Sequence, residues 1–139
     1  MKAITIMMHW GAGEYAWEKD AVDDTTYVGG DIADAVDGFK HSSYMVSAAL
    51  EADFADWAEW FEREAAGDAL RMDWDSFNRQ GLDLARRLKA ELGDQVRVVY
   101  DKPIEDPGYV PGARAEVRTE ILADGTLNPI TLRRVAPTG

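Results

Sequence analysis

Apolar and polar positions along this chain fall into a few clear periods, and each period predicts an element. Residues 3–8, Ala-Ile-Thr-Ile-Met-Met, form an apolar run rich in branched side chains, a β-strand that Gly11 and Gly13 close. Residues 14–30 are mixed and turn-prone. They leave room for a short strand around residues 15–17 or 25–28. Asp31 is placed to cap a brief helix through Val36, with Gly38 as its stop.

Two longer helices follow. Ser47 suits an N-cap and Gly67 a stop. Between them Leu50, Phe54, Trp57 and Phe61 recur at the three- and four-residue spacing of one helical face. The second helix starts near Asp73, carries Phe77, Gly81, Leu84, Leu88 and Leu92 on its stripe, and stops at Gly93. A glycine on an otherwise bulky stripe predicts close approach by the other helix or by an aromatic such as Trp57. Residues 95–100, Gln-Val-Arg-Val-Val-Tyr, predict a second strand. Three prolines and two glycines make residues 101–113 a loop.

Residues 114–122 then predict a strand, Asp124-Gly125 a tight turn, and residues 127–135 the antiparallel partner. Pro129 has no backbone donor, so that last strand belongs at a sheet edge or is broken there. Strands at the two ends and helices in the middle predict an α+β fold. The expected sheet is antiparallel-rich, with both long helices packed on one face, in a single domain over residues 1–139.

Composition narrows the setting. The chain has no cysteine, which excludes disulfides, thiolate nucleophiles and cysteine-ligated zinc, and favours a reducing compartment. The apolar run after Lys2 is too short for a signal-peptide core, and no stretch of about 18 apolar residues exists to span a membrane. A cytoplasmic location is expected.

Charge says more. The net charge of −11 disfavours direct nucleic-acid binding, because phosphates repel such a surface. The excess is also lopsided: residues 1–75 hold 17 acidic and 5 basic side chains, while residues 76–139 hold 9 and 10. A purely solubilising surface is the plain reading of that surplus. The alternative is a face that a basic partner touches.

The search for chemistry yields little. His9 and His41 lie in different segments and form no metal-binding spacing. Asp73-Trp-Asp75 starts like a calcium loop, but Phe77, Asn78 and Leu84 occupy positions where that loop needs a ligand, a glycine and an acid. Gly11-Ala-Gly13 lacks the rest of a dinucleotide fingerprint, and there is no phosphate loop and no nucleophile elbow. No cofactor and no metal are expected. A small enzyme built from a carboxylate such as Glu14 with His9 or His41 near the first strand stays an alternative. So does an assembly component that associates through the C-terminal hairpin edge.

The outer positions of the first long helix are more informative. Glu51, Asp56, Glu59 and Glu62 flank or oppose its apolar stripe, with Arg63 as the counter-charge. Trp60 falls about a quarter turn off the stripe, beside Asp53, Asp56 and Glu64. A large aromatic edged by carboxylates suits a basic partner, and the competing reading has Trp60 covering a second part of the core. The second helix turns Arg79, Arg86 and Lys89 outward with Arg87 at the flank, so ion pairs between the helices are expected if they are neighbours.

One resemblance adds to this. Ala55-Asp-Trp-Ala-Glu-Trp-Phe61, Trp74, Gly81 and the run from Leu84 to Tyr100 resemble small acidic bacterial proteins, some of them immunity proteins that neutralise secreted toxins. The likeness covers about residues 45–105, mostly core positions and helix stops, and so bears on fold before activity. It implies a non-enzymatic binding protein or inhibitor. The expected partner is a basic protein such as a toxin, a nuclease or a nucleic-acid-handling complex, and a phage-type nucleic-acid mimic is a variant of the same idea. The residues expected to carry the binding are Asp53, Asp56, Glu59, Trp60 and Glu62, with Asp20, Asp23 and Asp24 from the preceding loop. The oligomeric state is left open.

Overall fold

The computed structural model describes residues 2–8, 15–20, 26–27, 34–35, 39, 44–64, 72–103, 106, 118–129 and 133–134. Outside them lie Gly11, Gly13, Gly38 and Gly67, most of the loop over 101–113, and the first part of the strand expected from 114.

The first apolar run forms β1 (Lys2–Ile6), and the turn-prone stretch supplies β2 (Ala16–Asp20) and β3 (Thr26–Tyr27). Where a brief helix was expected, Asp34–Ala35 is extended. It forms β4, paired with Glu18 and Trp17 of β2. At these two residues the strand beside them offers a ladder, which local capping signals do not register.

α1 spans Ala48–Glu64 and α2 spans Trp74–Leu92. Both start as their caps predict: the Ser47 hydroxyl accepts from the Leu50 amide at 3.2 Å, and the Asp73 carboxylate accepts from the Ser76 amide at 3.1 Å. Gly93 terminates α2 at φ 72°, a left-handed conformation that disfavours a side chain. Glu91 then ties the two helices together, accepting from the Ser47 amide at 2.6 Å and the Ser47 hydroxyl at 2.7 Å. The end of α2 is thereby fixed at the start of α1.

After a 3-10 turn at Gly93–Gln95 come β5 (Val96–Asp101), β6 (Arg118–Ile121), β7 (Leu127–Pro129) and β8 (Arg133–Arg134). Among the described residues six strands make one sheet in the order β4-β2-β1-β5-β6-β7. Every neighbouring pair is antiparallel except β1 with β5, which run parallel with Ile4 opposite Val98. The fold is α+β, as the element order implied. Pro129 lies on the edge strand β7, and Gly125 takes φ 84° in the turn before it. The partner strand expected over 127–135 changes neighbours along its length. β7 pairs with β6, whereas β8 pairs in parallel with β3 as a separate two-stranded sheet.

The helices cover one sheet face. Ile4, Ile6, Val98, Tyr100 and Ile121 point into a cluster with Leu50, Phe54, Trp57, Phe61, Phe77, Leu84 and Leu88. Phe54, Phe61 and Phe77 are fully buried, each worth roughly 1.5–3 kcal/mol of transfer free energy. Gly81 explains how α2 seats so closely. A Cβ there would lie 2.4 Å from Tyr100 Cε2 and 2.7 Å from Trp57 Cζ2, so both rings occupy the space that a side chain would take.

The opposite sheet face mixes buried apolar positions, Ala3 and Val99, with paired charges. Arg97 forks onto Glu120 with two bonds of 2.9 Å, and Arg118 reaches Asp101 at 3.3 Å. Tyr44, just before α1, donates a short hydrogen bond to Glu18 of β2 and anchors the helix entry to the sheet. Burial, and then that carboxylate, raise the Tyr44 phenol well above its ordinary range.

Candidate functional site: the cleft between the two helices

Antiparallel helices that share a buried seam leave a surface cleft wherever their flanking side chains diverge. Here that cleft has a volume of about 640 Å³. From α1 it is lined by Asp53, Asp56, Trp57, Trp60 and Arg63. From α2 come Ser76, Gln80, Asp83, Leu84 and Arg87.

The floor is aromatic and rigid. Trp57 is buried, stacks on Phe77 at 4.6 Å between centroids, and donates its indole N–H to the Phe77 carbonyl at 3.0 Å. Trp60 is half-buried, with its ring set edge-to-face on Phe77 at 5.4 Å. Phe77 also meets Phe61 and Trp74, both at 5.7 Å. Trp60 therefore does both things that its position suggested. It packs against the core, and it presents indole surface to the cleft.

The rim carries charge. Arg87 of α2 reaches across to Asp53 of α1 at 2.6 Å, the ion pair between helices expected from the charge contrast. Both side chains are about half exposed, so the pair adds little to stability. Arg86 holds Asp83 at 3.0 Å and also donates to the Gly125 carbonyl at 3.2 Å. Arg63 turns to Glu64 at 3.5 Å and Glu59 at 3.9 Å. Asp56 is exposed, and no ion-pair partner engages it among the described residues.

The expected binding residues thus separate by position. Asp53, Asp56 and Trp60 come together in the cleft. Glu59 lies on the outermost face of α1, near the cleft only through its contact with Arg63. Glu62 sits two residues from Trp60, about 160° around the helix on the other flank. It is half-buried there, and its Oε1 is shielded without a hydrogen-bond partner among the described residues. Asp20 ends β2 opposite Lys2, with only its backbone described, and Asp23 and Asp24 lie outside the described residues. His9, His41 and Glu14 also lie outside them. Among the described residues no group of three or more metal-ligating side chains converges, and no helix is long and apolar enough to cross a membrane.

The far wall of the cleft was missed by the sequence reading. Ser76, Gln80, Asp83 and Arg87 recur at four, three and four residues along α2, the same period that marks the apolar stripe of α1. A polar stripe at that spacing beside the buried one was the available signal. Lys89 was expected to face outward. It is buried instead, donating to the Val96 carbonyl at 2.8 Å and closing the turn between α2 and β5.

A second cleft lies on the far flank of α1, lined by Phe39, Tyr44, Met45, Val46, Glu51 and the alanines of that face. Met45 is 88% exposed at its mouth.

Comparison with known families places this arrangement. Residues 28–103 match a family model described as Serratia CdiI immunity protein-like, and that span contains α1, α2 and β5. No match appears among curated proteins or among solved structures.

Proposed function

The chain belongs to the Serratia CdiI immunity protein-like family, and on that premise we propose that it is an inhibitor that binds a toxin through a basic face of the partner. The carrying observation is the cleft between α1 and α2, where Trp60 offers an aromatic surface beside Asp53 and Asp56. Tryptophan in a partly desolvated, carboxylate-edged cleft has the composition of an interface hot spot for a cationic partner. The 17 acidic side chains of residues 1–75 extend this bias beyond the cleft and favour fast, salt-sensitive encounter. Glu59 belongs to the outer rim of that surface, and Asp20, Asp23, Asp24 and Glu62 are proposed to widen it.

The reading treats residues 1–139 as one domain acting in the cytoplasm, in keeping with a chain that has no cysteine. Binding alone accounts for inhibition in this scheme, because covering a toxin's substrate site needs affinity and not chemistry.

The test is affinity purification from the native cell at low and at high salt. One basic protein partner is expected, retained at low salt. The double variant Asp56→Lys with Glu59→Lys is expected to weaken it by at least about tenfold while the melting temperature holds. Retention of the partner at unchanged affinity by that variant would refute the basic-partner reading.

A further inference from the structure

Resting on that reading, we infer that the cleft between α1 and α2 receives an arginine side chain of the partner, its guanidinium stacked on the Trp60 indole and hydrogen-bonded to Asp56. Three observations converge on a planar cation in place of a simple positive charge.

The cleft's own cations are already engaged by other carboxylates. Arg87 is held by Asp53 at 2.6 Å, and Arg63 is drawn to Glu64 at 3.5 Å and Glu59 at 3.9 Å. Asp83 in turn is held by Arg86 at 3.0 Å. Asp56 is the cleft carboxylate with no such neighbour among the described residues. One acceptor is therefore left over beside an aromatic surface.

The aromatic surface is fixed in place. Phe77 holds Trp60 edge-to-face at 5.4 Å and is itself clamped by Trp57 at 4.6 Å, so the indole loses little freedom when something stacks on it. A guanidinium can lie flat on an indole while its in-plane N–H groups reach a carboxylate at the edge. An ammonium is more strongly hydrated and has no plane to stack. The chain also shows the polar half of this contact in its own Arg87, whose guanidinium docks on the α1 wall at Asp53 within one turn of Asp56.

The probe is N-acetyl-arginine-N-methylamide, titrated into the full chain at constant ionic strength and followed through the tryptophan indole N–H resonances. Trp60→Phe assigns the signal. The expected result is a saturable shift of the Trp60 resonance at millimolar probe, with the lysine counterpart binding roughly fivefold more weakly. Asp56→Asn is expected to remove that preference, while Asp94→Asn, in the exposed turn after α2, keeps it. Equal binding of the two compounds, or an arginine preference that survives Asp56→Asn, overturns the proposal. In that event a captured partner that still loses affinity on charge reversal would leave the basic-partner reading standing. An arginine preference in a chain that captures no basic partner would instead discard the basic-partner reading and keep the arginine site.

Discussion

Two polar clusters flank α2, one on each side, and they have opposite fates. On the side facing β5, Asn78 is buried and both ends of its amide are engaged. It donates to Asp106 Oδ2 at 2.7 Å and accepts from the Tyr100 hydroxyl at 2.6 Å, and all three residues are at most 8% exposed. On the side facing α1, Asp56 and Trp60 meet at an open cleft where no ion pair engages the carboxylate among the described residues. Burial forced the first cluster to complete its hydrogen bonds, since an unmet polar group in low dielectric is costly. Water relieves the second of that demand, so nothing within the fold fixes its composition. A polar group that folding must satisfy reports on architecture, and one that folding leaves open is available for recognition.

Phe77 backs the aromatic floor of the open cleft, and removing it gives the largest effect. Phe77→Ala is expected to cost about 3–5 kcal/mol in urea unfolding, because the ring touches Trp57, Trp60, Phe61 and Trp74 at once. It should also weaken partner binding by freeing the Trp60 ring. Stability that falls by less than about 1 kcal/mol would show that the four rings do not depend on this pier.

Asn78→Ala isolates the sealed cluster. It takes the acceptor from the Tyr100 hydroxyl and a donor from Asp106, and roughly 2–3 kcal/mol of stability should go with it. Partner affinity per folded molecule should stay unchanged, because the cleft lies on the other side of the helix. A variant that stays stable but loses the partner would reverse the division between the two clusters.

The smallest effect is in the pH dependence. Burial, then the charges of Asp106 and Asp101, push the Tyr100 phenol well above its ordinary value. The folded state therefore keeps a proton that the unfolded chain releases near pH 10. Stability from this source is complete below that pH and declines as pH rises through it, since the native phenol resists ionisation. Tyr44 behaves in the same direction. Urea midpoints measured from about pH 8 to 11 should fall at the alkaline end, less steeply in Tyr100→Phe. An alkaline limb unchanged by that substitution would remove Tyr100 as its source.

Much of the fold was legible because its signals are local. Ser47 and Asp73 hold the first-turn amides that their side chains suit, Gly93 takes the positive φ that ends a helix, and Pro129 occupies an edge. The stripe Leu50, Phe54, Trp57, Phe61 is buried as its spacing required. The parallel pairing of β1 with β5 was not legible, nor was the strand at Asp34–Ala35, because a ladder depends on what lies beside it. For the candidate site, the α1 half could be named from Asp53, Asp56 and Trp60. The α2 half could not, because no local rule says which face of α2 meets α1. Lys89 shows the same gap: a lysine on a helix reads as exposed, and only the backbone carbonyl of Val96 ahead of it made burial favourable.

The sequence by itself determined the starts of both long helices and the end of α2, the apolar faces, the acid-rich first half and the lack of cysteine, since each is a property of neighbours along the chain. Tertiary structure alone decided that Asp53 meets Arg87, that Tyr100 joins Trp57 in the space at Gly81, and that Asp56 and Trp60 share a cleft with Gln80 and Asp83 of α2. The reason is distance. Those contacts join residues far apart in sequence, and their geometry is set by how two helices cross on one sheet.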